Sequence, residues 1–94
     1  MFSIEVPLKR VYDKQGEFHD KASVLALSTG DHILKSYGQR VCKITYDGKV
    51  FIGEAFPYTK TTCRHLKEFL KQHNVWNISS QADIKKLPVV SLYF

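Results

Sequence analysis

The chain has 94 residues, and its 14 Lys and Arg against 9 Asp and Glu give a formal net charge of +5 at pH 7. A single domain over residues 1–94 is expected, because domains commonly have about 50–200 residues and a hydrophobic content of 44% is enough for a core. No apolar run approaches the roughly 20 residues that cross a bilayer, and the first residues lack the basic and apolar blocks of a secretory signal. A cytoplasmic protein without a membrane span is therefore expected, and its basic balance favours polyanionic partners.

The N-terminal half carries the pattern of short β-strands. Residues 2–6 alternate apolar and polar side chains, and Pro7 favours an edge strand or a strand end. Residues 13–17 have the composition of a turn. Further strands are predicted over residues 23–27 and 32–37.

A β-hairpin is the clearest local prediction. Residues 41–46 and 50–52 are strand-like and flank Asp47-Gly48, a pair that favours a type I′ turn because Gly tolerates a positive φ. Along the first strand, residues 42, 44 and 46 are expected on one face and the residues between them on the other.

The C-terminal part is predicted to be helical. Thr61 and Thr62 are candidate N-caps of a helix that runs to Gln72 or His73, and Asn74 can adopt the left-handed conformation that ends it. A short second helix is expected from residue 79 or 80 to residue 87, followed by a closing strand over residues 89–94. The predicted fold class is α+β: an antiparallel sheet of four to six strands packed against one main amphipathic helix, with a short second helix.

The main helix has an apolar face and a separate cationic face. At about 100° per residue, the cationic residues fall on one line that no acidic residue interrupts. They are Lys60, Arg64, Lys67 and Lys71. The expected core residues of the helix are Cys63, Leu66, Phe69, Leu70 and His73. A cationic line of this kind suits a phosphate backbone or an acidic groove, and threonine hydroxyls at the helix start could receive an anion; the alternative is a solvated outer face.

Neither an enzyme nor a metal protein is predicted. Cys63 and His65 are two positions apart on a helix, so their side chains point about 200° apart and cannot form a nucleophile–base pair. The chain has no Gly-rich phosphate loop. A zinc site would need four ligands, and close ligand pairs are absent from the candidates. These candidates are Cys42, Cys63, His19, His32, His65 and His73. Both cysteines are therefore expected to be reduced and metal-free. For the protein as a whole, neither a cofactor nor a small-molecule substrate is expected.

Three aromatic residues next to turns are expected to be the most exposed, whereas most others are expected in the core or at its edge. They are Tyr37, Tyr58 and Trp76. Exposed aromatic rings could stack on nucleic-acid bases.

Three segments together resemble a small uncharacterised family that occurs in bacteriophages and in prophage-rich Gram-positive bacteria. They are Glu17–Ala22, Leu34–Tyr37 and Tyr58–Gln72, and the most specific part is the block Thr61-Thr62-Cys63-Arg64-His65. The resemblance covers residues 17–73 and has no function to transfer. What it implies is a phage or mobile-element context, in which small proteins often bind and block host machinery, including CRISPR nucleases.

A non-enzymatic macromolecule-binding module follows from these features. Its basic helix is expected to contact nucleic acid or an acidic surface; the alternative is a phage-encoded protein inhibitor of a host defence nuclease, similar to an anti-CRISPR protein. The expected partner is nucleic acid or a host protein that handles it, and the sequence does not indicate an oligomeric state. The candidate binding residues are Lys60, Thr62, Arg64, His65, Lys67 and Lys71.

Overall fold

A six-stranded sheet forms the framework of the protein. The computed structural model describes residues 3–8, 11, 21–54, 60–78 and 81–92. The strands are β1 (Ser3–Pro7), β2 (Ala22–Leu27), β3 (His32–Ser36), β4 (Gln39–Ile44), β5 (Val50–Gly53) and β6 (Val89–Val90), and the helices are α1 (Lys60–Gln72) and α2 (Gln81–Lys85). The strands lie in chain order across the sheet, and each neighbouring pair is antiparallel except β5 and β6, which are parallel. The predicted α+β class is confirmed.

Strand β1 lies at one edge of the sheet, as Pro7 predicted. Its Ile4 and Val6 pair with Ala26 and Val24 of β2 and remain largely exposed. The predicted turn over residues 13–17 lies outside the described residues.

A β-bulge in the pairing of β3 with β4 changes the expected alternation of faces. Leu34 pairs with Cys42, but Lys35 pairs with Arg40, so Val41 is an extra residue on β4. Val41 and Cys42 are consequently both fully buried, at 0% exposure, although a regular strand would place them on opposite faces.

The type I′ turn is found in a different hairpin from the one predicted. The hairpin between β4 and β5 is present, but only Gly48 of its Asp47-Gly48 pair has a positive φ. The Gly48 N–H donates to the carbonyl of Thr45, and the Thr45 N–H donates to the carbonyl of Lys49, which is the pattern of a longer loop closed by a glycine bulge. The predicted type I′ turn at this position is therefore wrong.

A two-residue turn with positive φ at both positions instead joins β3 to β4. It consists of Tyr37, with φ 53°, and Gly38, with φ 80°, between the paired residues Ser36 and Gln39. These φ values are those of a type I′ turn, in which Asn, Asp or Gly is favoured at the first position. For a residue with a bulky side chain the left-handed conformation costs roughly 1–2 kcal/mol.

Helix α1 runs antiparallel to β3 across one face of the sheet. Thr62 near its start contacts Ser36 at the end of β3, and His73 just beyond its end contacts His32 at the start of β3. The amphipathic pattern is confirmed on the apolar side, because Leu66, Phe69 and Leu70 of α1 are fully buried. The core between helix and sheet also contains Leu8, Ala22, Val24, Leu34, Val41, Cys42, Ile44, Ile52, Cys63, Ile78 and Ile84.

The sequence predicted the C-terminal end of α1 correctly but not its N-terminal end. The helix begins at Lys60, so Thr61 and Thr62 lie inside its first turn and are not its N-cap, contrary to the prediction. The C-terminal end is as predicted, because Asn74 has a φ of 63° and follows Gln72 closely. The Val75 N–H donates to the carbonyl of Leu70 at 2.8 Å, which completes a Schellman-type end.

The helix and the strand of the C-terminal segment are both shorter than predicted. Helix α2 covers only Gln81–Lys85, and β6 covers only Val89–Val90, beside β5. The last two residues of the predicted closing strand lie outside the described residues.

Candidate functional site

The cationic residues of α1 form a line on the side of the helix that faces away from the sheet. We call Lys60, Arg64, Lys67 and Lys71 the basic stripe. Lys60 is exposed and the other three are partly exposed. With a rise of 1.5 Å per residue, the stripe is about 16 Å long.

Glu68, the one acidic residue in the sequence of α1, has a buried side chain. Its side chain is 2% exposed, and it accepts a hydrogen bond of 2.6 Å from Gln72 Nε2. Burial of Glu68 was not predicted, since its position in the helix lies beside the stripe. The exposed surface of α1 therefore presents cationic side chains and no exposed carboxylate.

Thr62 and His65, which the sequence grouped with the basic residues, lie on the opposite side of α1. They are 8% and 1% exposed, respectively. Ser36 Oγ lies 2.8 Å from His65 Nδ1 and 3.2 Å from Thr62 Oγ1. These three side chains form a buried polar cluster that fixes the first turns of α1 to the end of β3, and a partner at the basic stripe would not touch Thr62 or His65.

The Ser36–His65 contact resembles a serine nucleophile activated by a histidine, but both side chains are buried and a substrate cannot reach them. A serine hydroxyl that is hydrogen-bonded to a histidine can act as a nucleophile when a substrate reaches it. Ser36 is 2% exposed and His65 is 1% exposed, so no substrate group fits beside the hydroxyl in this structure. The geometry supports a structural role, in which both partners satisfy each other's hydrogen-bonding capacity in the core.

Cys63, on the same helix, has the properties of a core thiol. It is 7% exposed, and burial raises its pKa above the ordinary value, while the charge of Lys67 opposes the shift. Cys42 is fully buried and its pKa is also raised by burial. Thiols with raised pKa values are protonated near neutral pH and are poor nucleophiles.

Tyr37 is an exposed aromatic residue beside the buried cluster. Its side chain is 57% exposed, its ring centroid lies 5.8 Å from that of His65, and Lys21 Nζ lies 5.5 Å from the ring centroid. Exposure of Tyr37 and of Trp76, which is 54% exposed, agrees with the prediction, whereas Tyr58 lies outside the described residues. Tyr46, at 83% exposed, was not among the residues predicted to be exposed.

A pair of histidines lies at the C-terminal end of α1. The ring centroids of His32 and His73 are 4.9 Å apart, and those of His73 and Phe69 are 4.5 Å apart. Burial, together with the charge of His73, lowers the pKa of His32 from its usual value of 6.5, while Asp31 opposes part of the shift.

The lowered pKa of His32 predicts a loss of stability in mild acid. An unfolded histidine takes up its proton near pH 6.5, whereas folded His32 resists protonation, so the free energy of unfolding is highest above pH 6.5 and falls below it. Urea denaturation at about pH 7.5 and about pH 5.5, a window above most carboxylate pKa values, measures the change. We expect His32→Gln to lose less stability over this window than the wild type. An equal loss in both proteins would assign the effect to other groups.

The described residues contain neither a cluster of metal ligands nor a membrane-spanning helix. Within these residues, no group of three or more His, Cys, Asp or Glu side chains is placed to hold a metal ion. His19, one of the candidate ligands, lies outside them. No helix in the described part of the chain is long and apolar enough to cross a membrane.

The fold and the basic stripe together define a small α+β domain with a cationic surface helix. The chain belongs to a family of unknown function, DUF8033, whose profile matches residues 6–86. No curated protein and no solved structure matches the chain. The family match agrees with the predicted membership of a family without a known function, and it extends beyond residues 17–73. It does not test the phage context or the Thr-Thr-x-Arg-His motif, which stay predictions.

Proposed function

We propose that the protein is a non-enzymatic binding module that contacts nucleic acid through the basic stripe. One observation carries the proposal: four cationic side chains share the outward side of α1, while Glu68 of the same helix is buried. The phosphates of nucleic acid are the polyanion that such a surface fits best.

The dimensions of the basic stripe support a phosphate backbone as its partner. One strand of a duplex places a phosphate about every 3.4 Å along the duplex axis, so a stripe about 16 Å long can reach several phosphates. The contact would be electrostatic and would carry little base-sequence preference.

The salt dependence of binding tests this proposal. Each neutralised phosphate releases counterions, so four contacts predict a logarithmic salt slope of about −2.8 for a single strand and about −3.6 for a duplex. Between 50 and 200 mM salt, wild-type affinity should then fall by about 50-fold or about 150-fold, respectively. Fluorescence anisotropy with labelled oligonucleotides measures both. Absence of binding at low salt would remove the proposal.

The alternative is a phage-encoded inhibitor of a host defence nuclease, and it predicts different behaviour. As an inhibitor, the protein would bind the acidic surface of one target in moderate salt. Added salt would then mainly slow association. A pull-down from host lysate with and without nuclease treatment separates the two. Capture of one protein that survives nuclease treatment, without oligonucleotide binding, would favour the inhibitor, which would act in the host cytoplasm.

A further inference from the structure

Tyr37 occupies a backbone position that does not suit a tyrosine. It is the first residue of the turn between β3 and β4, with a left-handed φ of 53°. Asn, Asp or Gly is favoured at this position because a bulky side chain crowds the backbone there. A disfavoured backbone conformation at a surface residue points to a role other than stability.

Burial does not explain Tyr37 either, because 57% of its side chain is exposed. What the structure provides is a support for the ring. His65, itself 1% exposed and hydrogen-bonded to Ser36 at 2.8 Å, lies against it with a centroid separation of 5.8 Å. Lys21 Nζ, 5.5 Å from the ring centroid, places a cation beside the accessible aromatic surface.

A second exposed aromatic residue lies beyond the other end of α1. Val75 is held by its N–H bond to the carbonyl of Leu70 and packs against the core, and Trp76 follows it with 54% of its side chain exposed. Tyr37 contacts the helix near its start through His65, and Trp76 follows its end. Along the helix axis, Tyr37 is therefore level with the first turns of α1, on the His65 side of the helix, and Trp76 lies beyond its C-terminal end.

We propose that the nucleic acid bound by the basic stripe is single-stranded, with bases stacked on Tyr37 and Trp76. This inference rests on the proposed function. A cationic track combined with exposed aromatic rings is the arrangement by which proteins hold single strands, because unpaired bases can leave their neighbours and stack on a side chain. A duplex offers phosphates to the stripe but keeps its bases inside, so it gains nothing from either ring. Lys21 is placed to meet the phosphate next to a base on Tyr37.

The Tyr37→Asn variant tests the inference, because its effects on folding and binding are expected to have opposite signs. Asn suits the left-handed turn position, so the urea midpoint should stay equal to or above that of the wild type. Loss of one stacked base should weaken binding of an oligothymidine of about 15 nucleotides by about 5-fold or more. Binding of a duplex of the same length should not change. Tyr37→Phe, which keeps the ring, is the matched control and should bind like the wild type.

Trp76 supplies an independent signal, since it is the single tryptophan of the chain. Its fluorescence should be quenched by the oligothymidine and not by the duplex. If both nucleic acids bind with a salt-dependent affinity that Tyr37→Asn leaves unchanged, the stacking inference is overturned while the proposed function stands. If neither binds at low salt, both fall.

Discussion

Replacing Arg64 and Lys67 with Glu is expected to abolish nucleic-acid binding and to leave the fold intact. The two residues lie at the centre of the basic stripe, so their reversal replaces attraction by repulsion at the contact. Loss of their phosphate contacts and the added repulsion should lower affinity by at least about 100-fold at low salt. Substitutions on the surface usually change stability by only about 0.5 kcal/mol, and both side chains are partly exposed. Circular dichroism, urea denaturation and anisotropy on the same preparation measure both effects.

A second double variant controls for the change in overall charge. Lys85 and Lys86 are exposed and lie in or directly after α2, away from the stripe in sequence. Each Lys→Glu or Arg→Glu replacement changes the charge by two, so both double variants fall from +5 to +1. The Lys85→Glu, Lys86→Glu protein should keep most of its affinity. A folded Arg64→Glu, Lys67→Glu protein that binds like the wild type would show that the stripe is only a solvated outer face.

The sequence predicted the fold class because its strongest signals are local. The spacing of apolar residues in α1 determines which side of the helix is buried, and Asn74 ends that helix in the conformation expected of it. Pro7 likewise marked an edge strand, since it lacks the N–H that an inner strand requires. These features depend on a few neighbouring residues and were predictable from them.

Features that depend on distant parts of the chain were not predictable in the same way. Asp47-Gly48 has the better type I′ composition, yet the bulge in β4 and the pairing of Ser36 with Gln39 place that turn at Tyr37-Gly38. The signal available in the sequence was the Tyr37-Gly38 pair between two strand-like segments. Tyrosine, however, is disfavoured at the first position of a type I′ turn. The tertiary arrangement here overrides the preference of the turn residues.

The residues that carried the family resemblance acquire two separate explanations. Thr62 and His65 meet Ser36 in the buried cluster, so stability accounts for them. Tyr37 lies at the surface of that cluster, and Arg64 lies on the basic stripe. The buried cluster thus connects the Tyr37 ring to the helix that carries the basic stripe. The sequence had grouped Thr62 and His65 with the stripe because they belong to the Thr-Thr-x-Arg-His block, although at about 100° per residue they fall on the other side of the helix.

Leu70→Ala is expected to be strongly destabilising, because Leu70 is fully buried in the core between α1 and the sheet. Truncation removes its transfer free energy and leaves a cavity, and the two together cost about 2–4 kcal/mol. A domain of this size has a free energy of unfolding of about 5–10 kcal/mol, so the variant should lose a large part of its stability. Urea denaturation monitored by circular dichroism gives the difference.

Leu87 provides the matched truncation for Leu70. It is only partly buried and packs against the margin of the same core, so Leu87→Ala removes the same atoms but less buried area. At about 25 cal/mol per Å² of apolar surface, the smaller buried area should limit the loss to about 1 kcal/mol. A larger loss for Leu70→Ala than for Leu87→Ala would show that the helix–sheet interface contributes more stability than the margin of the core. A loss below about 0.5 kcal/mol for Leu70→Ala, within the range of surface substitutions, would mean that α1 does not pack through this face. The outward orientation of the basic stripe would then be lost as well, since it depends on the same packing.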